Sequence, residues 1–166
     1  MNQSILFVIT GGTIDKDYHS ITGELTFESS YLPHLIKQAN CTLDIEFNVI
    51  MLKDSLEMTD HDREMILQSC HKSAHSKIVI SHGTDTMTKT AQYLKNSGQL
   101  NDKTIAITGA MRPYMLGNSD SDFNVGAALT TVQLAESGIY ICMNGQVIPG
   151  SQANKNRSLG VFETTE

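Results

Sequence analysis

Ile5-Leu6-Phe7-Val8-Ile9-Thr10-Gly11-Gly12-Thr13 passes without a break from five apolar side chains to a hydroxyl, two glycines and a second hydroxyl. A run that is apolar at every position marks a strand buried on both faces, as in a parallel sheet covered by helices. The two glycines permit positive φ and close backbone approach, so amide N–H groups can point at a ligand just beyond the strand. Four more runs follow, at 45–52, 77–80, 104–108 and 139–143. The run at 45–52 alternates Glu46 and Asn48 with apolar neighbours, which puts it nearer a sheet edge.

Helical patterns separate the runs. Leu32, Leu35, Ile36 and Ala39 share one stripe within 30–39. Thr59 with Asp62 has the spacing of a capping box, ahead of a helix whose Met65, Ile66 and Cys70 are expected to face inward. Met87, Ala91 and Leu94 give the apolar face of a helix starting near 84–86, and Phe123, Ala127, Thr130 and Leu134 mark a fourth helix. Strands alternating with helices predict an α/β fold: one open, mostly parallel sheet with helices on both faces. The polar stretch after Gly150 is expected to be ordered only by packing into a site.

Composition narrows the functions. At 166 residues a single domain spanning 1–166 is expected. Lys+Arg 12 against Asp+Glu 18 leaves −6, so no basic stripe is available and nucleic acid is not expected as a partner. Cys41, Cys70 and Cys142 are odd in number and far apart, which suits reduced thiols and a cytoplasmic location. The first apolar run is too short to cross a membrane, so no membrane partner is expected.

In open α/β sheets ligands bind beyond the carboxyl ends of the strands. The residues gathered there are Gly11-Gly12-Thr13, Lys53-Asp54-Ser55, Ser81-His82-Gly83-Thr84-Asp85-Thr86, Gly109-Ala110-Met111-Arg112-Pro113 and Asn144-Gly145. Thr13 beside two glycines can be a nucleophile whose target oxygen is held by backbone amides, or only a hydroxyl satisfying a tight turn. The segment lacks the third glycine of a dinucleotide fingerprint and the lysine of a phosphate-binding loop. Thr84-Asp85-Thr86 is richer than a helix cap requires, and an ionised Asp85 can hold a substrate ammonium. Lys155, if the tail folds back over the cleft, can serve as a base near Thr84. His71 and His75 have metal-compatible spacing but no third ligand nearby, and Asp120 and Asp122 suit helix initiation. No metal site and no cofactor are expected.

Taken together, Thr10-Gly11-Gly12-Thr13-Ile14, His82-Gly83-Thr84-Asp85-Thr86 and Gly109-Ala110-Met111-Arg112-Pro113 resemble the signatures of the bacterial-type L-asparaginase family in order and separation. That family includes glutaminase-asparaginases and an amidase-like subunit acting on misacylated tRNA. The resemblance covers essentially the whole chain, but only the family's N-terminal catalytic domain; a counterpart of the smaller C-terminal domain is not expected within residues 1–166. It implies a flavodoxin- or Rossmann-like fold and hydrolysis of the side-chain amide of asparagine, or of glutamine, with no cofactor. It implies Thr13 as nucleophile and Thr84, Asp85 and Lys155 as a second catalytic set, with Tyr18, on a shortened loop, as candidate for the family's tyrosine. Ser55 would hold the substrate α-carboxylate, Asp85 the α-ammonium, and the backbone at Gly12, Thr84 and Ala110 the amide. Leu56 stands where secreted members often carry glutamine. A homo-oligomer, dimer or tetramer, is expected to cover the open cleft. The alternative from another class is a binding or regulatory module for a small amino acid with little turnover; a nucleotide-binding flavodoxin-like protein is disfavoured by Asp85.

Overall fold

The computed structural model describes residues 4–165. In chain order its elements are β1 (Ile5–Gly11), β2 (Asp17–Tyr18), β3 (Leu25–Thr26), α1 (Leu32–Gln38), β4 (Ile45–Lys53), α2 (Asp60–Lys72) and β5 (Lys77–Ser81). They continue with α3 (Met87–Asn96), β6 (Thr104–Thr108), α4 (Ser121–Leu134), β7 (Gly138–Met143), β8 (Gln146–Pro149), β9 (Ala153–Asn156) and β10 (Val161–Thr164). Six strands form one sheet in the order β4-β1-β5-β6-β7-β8. The first five are parallel and β8 is antiparallel to β7.

The all-apolar first run is buried along its whole length because both faces of β1 are covered. Ile5, Phe7 and Ile9 pack with Leu32, Leu35 and Ile36 of α1 and Val125, Ala128, Leu129 and Val132 of α4. Leu6 and Val8 point the other way, toward Ile66, Leu67 and Cys70 of α2 and Met87, Ala91 and Leu94 of α3. The mixed run becomes β4, at the sheet edge, where polar side chains reach water. Thr59 and Asp62 form the expected capping box, each side chain bonding the other's backbone amide.

Chain reversal occurs at β1: the chain moves from β1 outward to β4, then crosses back to β5 on the other side. The carboxyl ends of β1 and β5 therefore lie side by side at the switch point of the sheet, the edge at which open α/β folds bind ligands. That is where residues 11–13 and 82–86 lie.

Two expectations need correction and a third is refined. Met65 is exposed; α2 turns Ile66, Leu67 and Cys70 inward instead. In α4 the stripe of Phe123 and Leu134 faces outward, at 66% and 82% exposure, because the helix is apolar on two faces and the Val125–Ala128–Leu129–Val132 side matches the sheet. Asn144-Gly145 lies at the carboxyl edge as expected, but as a two-residue hairpin turn joining β7 to β8, with both residues at positive φ (55° and 72°). Asn-Gly between two apolar runs signals such a turn.

The polar tail forms the antiparallel hairpin β9–β10. Phe162 is its anchor, buried in the α2–α3 side of the core, with its amide donating to the Asn144 side chain at 2.8 Å. Burying a phenylalanine is worth about 1.5–3 kcal/mol, enough to hold a short hairpin already closed by ladder bonds.

Two fully buried titratable side chains give the fold a divided response to pH. His82 Nδ1 lies 2.8 Å from the Gly83 carbonyl and so carries the proton, leaving Nε2 to accept from the Thr90 hydroxyl at 2.7 Å. Burial, with the Arg63 charge adding to it, pushes His82 from 6.5 down to about 4. Asp15 is pushed by burial from 3.8 up to about 6, although its Oδ1 accepts the Tyr31 amide at 2.9 Å. Between pH 4 and 6.5 the unfolded chain takes up a proton at His82 that the folded chain does not, so this term makes stability rise with pH. Between pH 3.8 and 6 the folded chain keeps a proton at Asp15 that the unfolded chain loses, so that term makes stability fall with pH. Each amounts to about 3 kcal/mol over its window, and they oppose one another. Thermal melts from pH 4 to 6 are expected to show His82→Gln losing stability with rising pH relative to the parent, and Asp15→Asn gaining it; parallel curves for all three proteins would refute the assignment.

Candidate active site

Four loops meet beyond the carboxyl edge with their backbones in contact. Gly12, at φ 84°, donates its amide to the Lys53 carbonyl at 2.9 Å, tying the end of β1 to the end of β4. A Cβ at Gly12 would stand 2.4 Å from the Gly83 nitrogen, and one at Gly83 would stand 2.5 Å from Ser55 Cβ and Oγ. A Cβ at Gly109 would stand 2.3 Å from the His82 carbonyl oxygen. Glycine is required at each point because the loops are packed to backbone distance. Residues 12, 55, 83 and 109 are thereby brought together from 98 positions of sequence.

Around this seam the hydroxyls have distinct environments. Thr13 opens a single turn of 3-10 helix, Thr13–Asp15; it is half-buried, and its hydroxyl has no hydrogen bond among the described residues. Ser55 is buried: its Oγ accepts the Thr86 amide at 3.2 Å, and its carbonyl accepts the Thr86 hydroxyl at 2.8 Å. Thr86 is the residue before α3, yet its hydroxyl is committed to Ser55 rather than to capping the helix. Ala110 is fully buried under α4, in the loop after β6. Tyr18 lies in the β2–β3 hairpin and is 55% exposed.

The tail supplies the charge. Lys155, on β9, reaches back so that Nζ donates to Thr84 Oγ1 and to Asp85 Oδ1, both at 2.8 Å. Its side chain is only 10% exposed. The hydrogen bond from Lys155 is the main reason that Asp85 is held below the usual carboxylate range. Because the Thr84 oxygen accepts from an ammonium, its own O–H is left as a donor.

Four residues whose parts in the site are not legible in their own sequence neighbourhoods support this arrangement. Arg63, nearly buried on α2, donates to Thr90 Oγ1 (3.2 Å) and Thr86 Oγ1 (3.3 Å), and pairs with Asp60 at 3.0 Å. It therefore sits under both the His82 contact and the Ser55 contact; only the odd occurrence of arginine one place after a capping-box aspartate hinted at it. His82 was read as part of a motif and not as a buried strut. Asp120 was expected to start α4, but its carboxylate instead accepts the amides of Met111 and Arg112 at 3.0–3.2 Å, fixing the loop after Gly109. Arg157 donates to Asp85 Oδ1 at 2.8 Å. His71 and His75 direct ring nitrogens to the Gln99 carbonyl and to the Ser73 and Ser4 hydroxyls. Among the described residues no group of three His, Cys, Asp or Glu side chains is arranged to hold a metal ion.

Comparisons with known proteins point to one family. The family model described as asparaginase, N-terminal, matches residues 4–164. The glutaminase-asparaginase of Acinetobacter glutaminasificans is 29% identical over 165 residues, covering 92% of this chain and 50% of that protein. L-asparaginase 2 of Escherichia coli is 29% identical over 171 residues, covering 95% of this chain and 48% of that protein. Among solved structures, the probable cytoplasmic L-asparaginase of Campylobacter jejuni superposes with a TM-score of 0.81 at 29% identity, over 98% of this chain and 53% of that one. The thermostable L-asparaginase of Thermococcus kodakarensis gives 0.82 at 26% identity, over 97% and 51%. The chain spans about half the length of the curated relatives it matches. With its parallel sheet, its three loop signatures in order and a family match over nearly its whole length, this chain belongs to the asparaginase family, of which it comprises the N-terminal domain.

Proposed function

We propose that the site hydrolyses the side-chain amide of asparagine, and of glutamine to the extent that it fits, to the acid and ammonia. The observation that carries this reading is the Lys155 ammonium, 2.8 Å from both Thr84 Oγ1 and Asp85 Oδ1 and drawn there from the far end of the chain. A surface lysine needs no such burial; a proton-handling lysine beside a hydroxyl does.

In this reading Thr13 Oγ attacks the amide carbon as its proton passes to a neighbouring base, for which Tyr18 is the candidate. Backbone amides at Gly11-Gly12 and the free O–H of Thr84 stabilise the oxyanion. The C–N bond breaks and ammonia leaves with the proton, leaving an ester on Thr13. Lys155, once it has given up one proton to solvent, then takes the Thr84 proton as Thr84 takes one from water. The water oxygen attacks the ester carbon, the C–O bond to Thr13 breaks, and the proton passes back to Thr13 Oγ, freeing the acid. Ser55 receives the α-carboxylate and Asp85 the α-ammonium, while the loop at Ala110 lines the amide end. The mechanism draws on no metal or organic cofactor. Membership of a family whose relatives bear the names L-asparaginase and glutaminase-asparaginase supports the substrate class.

The same reading carries a cytoplasmic homo-oligomer. The three cysteines are free thiols, and no helix among the described residues is long and apolar enough to cross a membrane. The outward apolar stripe of Phe123 and Leu134, continued by Val147 on β8, offers a second copy a surface to cover. Light scattering at micromolar concentration is expected to give at least a dimer; a fully active monomer would rule it out.

The division of labour is tested by titrating each variant with aspartate beside an ammonia assay on asparagine and glutamine. Thr13→Ala is expected to abolish ammonia release and leave aspartate binding nearly intact. Asp85→Ala is expected to weaken aspartate by about 2–4 kcal/mol, roughly thirty- to a thousandfold, because a desolvated ammonium loses its charged acceptor. Lys155→Met should lower kcat more than it alters binding. A Thr13→Ala protein as active as the parent sinks the mechanism; aspartate binding without any ammonia release from the parent favours the binding-module alternative.

A further inference from the structure

Asp85 carries more positive charge than an ammonium-binding carboxylate needs. Its Oδ1 accepts from Lys155 Nζ and from Arg157 Nη1, each at 2.8 Å, while Arg157 Nη2 donates to the Asp85 backbone carbonyl at 3.1 Å. Oδ2 makes no hydrogen bond among the described residues. An ammonium arriving at Oδ2 would join two cations already facing the same carboxylate.

The two resident cations are not equally held. Lys155 is nearly buried and has Thr84 as a second acceptor, whereas the Arg157 side chain is 62% exposed and both its bonds go to Asp85. Its backbone is nonetheless fixed at the tip of the β9–β10 hairpin. The Asn156 side chain accepts from the Ser158 hydroxyl and the Leu159 amide, and the Asn156 carbonyl accepts the Gly160 amide at 2.9 Å. With the backbone so fixed, the exposed guanidinium is separated from Asp85 by side-chain rotation alone.

Building on the reading of Asp85 as the ammonium acceptor, we propose that Arg157 is a specificity-determining residue that competes with the substrate's α-ammonium for the Asp85 carboxylate. Ligands with an α-ammonium must displace the guanidinium or bear its repulsion; ligands lacking that group do not. The ammonium group thus adds less affinity here than it would on an Asp85 paired with Lys155 alone.

The test compares aspartate with succinate, which keeps both carboxylates and lacks the ammonium, by calorimetric titration of the parent, Arg157→Ala and Arg157→Lys. Exposed ion pairs of this kind are weak, so Arg157→Ala is expected to tighten aspartate about three- to fivefold. Succinate should be unchanged or weaker, so the ratio of succinate to aspartate Kd rises. Arg157→Lys keeps the charge without the two-pronged grip and should fall between, and 0.5 M salt should shrink the difference between parent and Arg157→Ala. Equal shifts for both ligands, or weaker aspartate binding to Arg157→Ala, overturn the proposal. Ammonia release is measured on the same samples. A parent that releases none while the ratio still rises loses the hydrolase reading and keeps the role of Arg157; a parent that binds neither ligand overturns both.

Discussion

Apart from the Ser55 side chain, no further side-chain atom fits between the loops that end β1, β4 and β5, and the whole site depends on that exclusion. Gly12 lies against Gly83, Gly83 against Ser55 and Gly109 against His82, all at distances where a Cβ would overlap backbone or a buried side chain. Spacing set by main chain is stiffer than spacing set by rotamers. Thr13 and Thr84 each follow one of these glycines directly, so their Cα positions are fixed by the fold and only χ1 is left to choose.

Stiffness at the seam would be of little use on a soft floor. Beneath it runs a directed chain of donors, from Arg63 Nε to the Thr90 hydroxyl, on to His82 Nε2, and from His82 Nδ1 to the Gly83 carbonyl. A second branch runs from Arg63 to Thr86 and from Thr86 to Ser55. Arg63 is thus a buried cation tolerated because nearly every N–H it points inward finds an oxygen. The branches set one loop against another, and a neutral His82 is a condition of the first branch: a proton on Nε2 would turn an acceptor toward Thr90 into a donor.

Much of this was legible in residues 5–13. Uninterrupted apolar runs require two covered faces, and the hydroxyl-rich strand ends mark the carboxyl edge where the loops of 12, 55, 83 and 109 meet; Glu46 and Asn48 mark the edge strand. What failed did so where pattern underdetermines packing. Helix α4 is apolar on both sides, so periodicity could not tell Phe123 from Val125, and the sheet made the choice. Met65 and Ile66 are adjacent, and a small rotation of α2 decides which is covered. Asp120 and Arg63 are ordinary polar residues in sequence, and their partners, 8–9 and 23–27 positions away, come within reach only through the tertiary fold. Lys155 was placed by resemblance and by a tail that could fold back; nothing in its own neighbourhood points to Asp85, and still less does anything around Arg157.

The hairpin that bears Lys155 and Arg157 also sets the order in which the site can come into being. A short antiparallel hairpin closes locally within microseconds, whereas parallel strands joined by helical crossovers pair slowly, since each pairing closes a long loop. Phe162 can dock only on a surface that α2, α3 and the sheet have already made. The two positive charges therefore reach Asp85 after the core is assembled, and a chain with its sheet complete still lacks its buried lysine until this last hairpin seats.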